Sequence, residues 1–110
     1  NKRKQEEQKK LMPESIATEL DLYFDQIYRA IKQMNKNMLA PAGETDMEQA
    51  YENEREMNET RDHLKQVVYE RIESGQYGVE EGILYLDFVN SAEKLGDHII
   101  NVNQALSGIK

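Results

Sequence analysis

The sequence predicts an all-α fold, an up-down-up antiparallel three-helix bundle. Three observations carry that prediction. Apolar residues recur every three or four positions through three long segments, the spacing of one helix face. Two short breaks, APAG at residues 40–43 and SGQYG at 74–78, separate the segments. Nowhere does strand-type alternation run for more than a few residues. Short connections between long helices favour antiparallel neighbours, which gives the bundle its topology.

The first helix is expected from about Pro13 to Met38. Proline suits a first helical turn because its missing N–H would be unpaired there anyway. Ile16, Leu20, Tyr23, Ile27, Ala30, Met34 and Met38 form its apolar stripe. The second helix has the clearest start signal in the chain. TDME places Thr45 as N-cap with Glu48 three residues on, a capping box. Its stripe is Met47, Ala50, Met57, Leu64, Val68 and Ile72, and Gly75 and Gly78 end it. The third helix is expected from about Val79 to Leu106. Leu84, Phe88, Ala92, Leu95, Ile99, Val102 and Leu106 step by fours and threes, the spacing of a bundle seam.

Composition sets the limits within which function must fall. A chain of 110 residues suffices for one domain and one core. Its formal charge of −7 argues against nucleic acid as a partner, because phosphate backbones demand Lys and Arg. Cysteine is absent, which removes disulfides and thiolate metal sites. Charge is also uneven: NKRKQEEQKK holds five Lys/Arg against two Glu, and the remainder holds nine against nineteen acids. Residues 1–12 therefore read as a basic linker or helical lead-in, and 13–108 as a single bundle domain. Basic flanks of that kind collect just inside a membrane.

Asn90, Glu93, Asp97 and Asn101 form a polar ladder along the third helix, beside the expected seam. Glu54 and Asn58 make a similar rung on the second. Carboxylates one turn apart can share a hard cation such as Mg²⁺, Ca²⁺ or iron, which take oxygen ligands. Spacing alone does not distinguish the pair: Glu93/Asp97 is one of five acidic i, i+4 pairs in the chain. It differs in its apolar surroundings and in bracketing Gly96, whose missing side chain admits a neighbouring helix or an ion. Both histidines follow an aspartate, at Asp62-His63 and Asp97-His98, but adjacent helical residues do not face one another. No nucleophile–base set and no phosphate-cradling glycine loop stands out, so the chain is not expected to be an enzyme.

The stretch Glu93-Lys94-Leu95-Gly96-Asp97-His98-Ile99-Ile100-Asn101-Val102 resembles the PhoU family of phosphate-regulatory proteins, whose helices carry a pattern close to E-R-[IL]-G-D-H-[AI]-x-N-[IV]. Glutamate, glycine, aspartate, histidine and asparagine all fall in register. The resemblance implies a three-helix repeat over most of residues 14–108, with metal bound by E-x-x-x-D motifs on neighbouring helices. Carried over, Glu93 and Asp97 match that motif, and Glu54 matches the acidic position on the second helix. Asn58 stands where the family more often has aspartate, which implies a weaker site for a divalent cation or iron. The family usually has two repeats and this chain has one. The overall pattern is most like the cytoplasmic domain of bacterial sodium/phosphate cotransporter-related proteins. That implies an accessory or regulatory role in phosphate uptake, with the domain tethered at the inner face of the membrane. Its partners would be the transporter portion, another protein's helix face or a second copy of the chain. The alternative is a plain helical interaction module or a stand-alone phosphate-signalling regulator without metal.

Overall fold

The structure, a computed structural model, describes residues 14–109; the basic lead-in at 1–12 and the expected helix opener Pro13 lie outside them. The described chain is three helices, α1 (Glu14–Leu39), α2 (Met47–Glu73) and α3 (Val79–Ile109), packed as an all-α bundle. Its principal extents of 53 × 30 × 18 Å make it long and flat. The α2 helix packs closely against both others, whereas α1 and α3 share the sparsest interface. None of the three is long and apolar enough to cross a membrane.

The core follows the expected stripes on α1 and α2. Ile16, Tyr23, Ile27 and Ala30 are buried from α1, and Ala50, Met57, Leu64 and Val68 from α2. Burying a side chain of this size stabilises the fold by about 1.5–3 kcal/mol each. Met38 departs from the pattern and is exposed.

The third helix corrects the expectation more deeply. Ala92 and Ile99 are buried as expected, but their core partners are Val89, Ile100 and Asn103. Leu84, Phe88 and Leu95 from the expected seam are exposed instead. Apolar residues run around more than one side of α3, so periodicity fits two adjacent faces. Packing selects the one that also meets α2.

Two glycines with positive φ close the connections, at Gly43 (82°) and Gly75 (76°), where L side chains are strained. Between α2 and α3 lies Tyr77, which is buried and fills the end of the core. Its hydroxyl meets Arg71 Nη1 at 2.7 Å, and its ring lies 5.2 Å from that of Tyr85.

At the opposite end of the bundle, Asn37 joins all three helices. Its Nδ2 donates to Asn103 Oδ1 on α3 at 2.8 Å, with both residues almost wholly buried. Its Oδ1 accepts from the backbone N–H of Asp46 at 3.0 Å. That bond holds Asp46 outside the helix, and Asp46 becomes the cap, its carboxylate accepting from Gln49 N at 2.9 Å. The expected Thr45 cap is therefore displaced by one residue, because Asn37 fixes where α2 can begin. The Thr45 hydroxyl is buried with no hydrogen-bond partner among the described residues.

Replacing Asn37 by alanine strands the Asp46 N–H and Asn103 Oδ1 together, at about 1–3 kcal/mol for each unpaired group. Urea unfolding of Asn37→Ala should show a loss of roughly 2–4 kcal/mol. A loss near that of an ordinary surface substitution would remove Asn37 from this role.

Candidate functional site

The four expected ligands lie along the α2–α3 interface. Glu54, Asn58 and Glu93 are partly buried, whereas Asp97 is exposed. The centre of this face is a cation contributed by the protein itself. Arg61 Nη1 donates to Asn58 Oδ1 at 3.1 Å and to Glu93 Oε1 at 3.3 Å. Lys65 Nζ takes the other carboxylate oxygen of Glu93 at 2.9 Å. Arg61 also holds Asp62 through Nε at 2.9 Å.

Helix spacing explains the cluster. Residues 58, 61 and 65 step by three and four, so one face of α2 presents an amide and two cations towards Glu93. The hydrogen bond from Lys65 holds the Glu93 carboxyl below the usual carboxylate range, with Arg61 reinforcing it against the desolvation that opposes ionisation. Burial works against the Arg61 charge, but the bond to Asp62 and the nearby Glu93 carboxylate still keep it firmly protonated.

The structure thus brings Asn58 and Glu93 together through Arg61. No hydrogen bond or ion pair among the described residues joins Glu54 or Asp97 to them. Nor do any three His, Cys, Asp or Glu side chains among the described residues group as a metal cage. As arranged, the set does not fit a bound cation, because the carboxylate best placed to ligate one already faces two side-chain cations. Sequence reasoning missed Arg61 and Lys65. Their signal was the spacing 58–61–65, which places both one or two turns beyond the Glu54–Asn58 rung.

Gly96 has a packing role here. A Cβ at this position would lie 3.8 Å from Met57 Cε, ordinary contact distance, so α3 rests on the buried methionine of α2. The histidines form no relay with their aspartates. His63 Nε2 lies 2.7 Å from Glu19 Oε1 on α1, and Asp62 is taken by Arg61. Both His63 and His98 are exposed.

Near Arg61, Tyr23 is only 2% exposed. Burial pushes its hydroxyl up to about 12, moderated by Arg61 and reinforced by Glu93, Asp97 and Asp62. A separate cleft of about 430 Å³ between α1 and the start of α2 is lined by Arg29, Lys32, Lys36, Gln33, Gln49, Asn53 and Asp46. It gathers three basic side chains in an otherwise acidic domain. Arg29 is itself paired with Asp25, and Lys32 stacks over the Tyr28 ring.

The chain matches no family model, no curated protein and no solved structure.

Two expectations follow from this geometry. A hydroxyl that ionises near pH 12 in the fold and near 10 when unfolded leaves stability unaffected below pH 10 and removes it as pH rises towards 12. The full loss is roughly 2–3 kcal/mol. Denaturant melts between pH 9 and 12 should therefore fall less steeply for Tyr23→Phe than for the natural protein, and parallel curves would contradict the assignment. If Arg61 and Lys65 occupy the place of a cation, removing both in Arg61→Ala/Lys65→Ala should tighten Mn²⁺ binding by about tenfold in calorimetry. Asp97→Ala should then abolish the gained heat. Equal Mn²⁺ affinity with and without the two cations would show that these carboxylates are not a cation site.

Proposed function

We propose that this chain is a PhoU-like, non-catalytic accessory domain of a sodium-dependent phosphate cotransporter. It regulates uptake through helix-face contacts on the cytoplasmic side of the membrane. The family part of this reading rests on the register of Glu93, Gly96, Asp97, His98 and Asn101 in α3, since no family model matches the chain. Three packed helices are compatible with such a repeat.

One observation carries the contact part. The adjoining faces of α1 and α3 expose Phe24, Tyr28, Leu84, Phe88 and Leu95, a concentration of large apolar side chains whose natural place is against another surface. Phe24 and Phe88 meet edge to face with centroids 5.1 Å apart, so the patch bridges the two helices. The pairing of Glu93 with Arg61 and Lys65 favours a contact module that works without metal.

The test is phosphate uptake by cells carrying the full gene. Leu95→Glu, which places a charge on this face, should change the rate of labelled phosphate entry at unchanged protein abundance. Glu93→Gln should leave that rate near normal. An uptake rate indifferent to Leu95→Glu would sink the transport reading.

A further inference from the structure

The exposed stripe on α3 has a heptad pattern of its own. Phe88 and Leu95 are exposed and lie seven residues apart, and the exposed Leu84, Ser91 and His98 repeat by sevens at the complementary heptad position. This is a coiled-coil seam on the side of α3 turned away from α2. It explains why the sequence places Leu84, Phe88 and Leu95 in the core: they are seam residues, but of a second interface. Leu84 on α3 is 68% exposed and Tyr28 on α1 is 59% exposed.

We propose that the partner covering this exposed face is a second copy of the chain, docked with α3 antiparallel to its own counterpart about a two-fold axis level with Val89 and Asn90. The proposal rests on the reading of this face as a contact surface and names its partner. A two-fold interface must be self-complementary, with each residue meeting a defined position on the other copy. This seam meets that condition at three levels. Phe88 falls opposite Ser91 of the second copy, a large side chain against a small one, and this happens twice. Leu84 falls opposite Leu95 of the second copy, also twice. Farther out, Glu81 falls opposite His98 of the second copy.

The flank is complementary as well. Asp87 and Lys94 occupy the same heptad position one repeat apart, on the solvent side of the seam, and both are exposed. Antiparallel pairing brings Asp87 of each copy beside Lys94 of the other. Such flanking charges select partner and orientation in coiled coils. Lys94 is one of few cations on an acidic domain, and here it lies seven residues from an aspartate where antiparallel self-pairing uses both. The other flank of the seam is α1, whose Phe24 and Tyr28 then cover the α3 of the second copy.

The arrangement makes an unusual demand on mixtures. Asp87→Lys leaves only lysines at the paired positions, and Lys94→Asp leaves only aspartates, so neither variant can pair with itself. An equimolar mixture restores both pairs. Sedimentation velocity at roughly 100 μM, a concentration suited to a modest interface, should show a dimer for the natural protein and monomers for each variant alone. Mixing the two should return the dimer, with each single variant weakened about tenfold or more in self-association. Circular dichroism should be unchanged throughout, because all these positions are exposed. A natural protein that stays monomeric, or a dimer indifferent to both substitutions and to mixing, would overturn the proposal. If the natural protein stays monomeric while Leu95→Glu still alters phosphate uptake, this face serves a different protein, and the second copy is excluded without harming the contact reading.

Discussion

The side-chain amide of Asn37 is the constraint on which the rest of the bundle depends. Apolar stripes tell helices to associate, but they tolerate sliding by a turn, because one leucine replaces another at little cost. A buried amide does not slide. Asn37 must find Asn103 on α3 and the Asp46 N–H at the mouth of α2 at once, and only one axial alignment of three helices supplies both. A single buried asparagine fixing register is a familiar device in coiled coils. Here the same residue also decides which side chain caps α2. From that alignment follow the seating of Gly96 on Met57 and the level at which Arg61 meets Glu93.

Electrostatics on the α2–α3 face follows from this register. A carboxylate one turn from another on a largely apolar helix poses a repulsion that could be relieved by a metal or by a side chain. Glu93 is relieved by side chains, and both of its oxygens are used. The pairing also serves the core beneath. Arg61 lies near Tyr23, the largest fully buried side chain, and its charge offsets part of the rise that burial and the neighbouring acids give the Tyr23 hydroxyl.

How much of this could be read from the sequence differs by helix, for a physical reason. On α1 and α2 the buried apolar members of the inward stripe are legible, whereas the buried amides Gln26, Asn37 and Asn53 are not, because periodicity marks apolar residues only. On α3 the ends of the apolar arc look alike, and period counting cannot choose between Phe88–Leu95 and Val89–Ile100. The choice depends on which side meets α2, a tertiary fact. The Thr45 cap failed similarly: the local motif was sound, but a residue nine positions upstream pinned the next one. Arg61 is hidden in the sequence because a cation three residues from Asn58 is common in so charged a helix, and only the packing of α3 shows that it meets Glu93. At Gly96 the expected close approach is only ordinary contact with Met57, whereas the glycine at which a Cβ would clash is Gly82, against the Ile72 side chain.

The failure on α3 is itself informative. A helix whose period fits two adjacent faces satisfies one face within its own bundle and leaves the other as a surface under selection for something else. Chance alone would scatter large apolar side chains over the solvent face. It would not place Phe88 and Leu95 seven residues apart, set the small Ser91 between them and put opposite charges at Asp87 and Lys94 on the same flank. The flat shape fits that view, since α1 and α3 share the sparsest interface of the bundle and carry the exposed apolar patch on their adjoining faces. In a three-helix domain of this size the internal core cannot absorb every apolar residue that α3 carries. What the core leaves over is the exposed face against which the proposed second copy would dock.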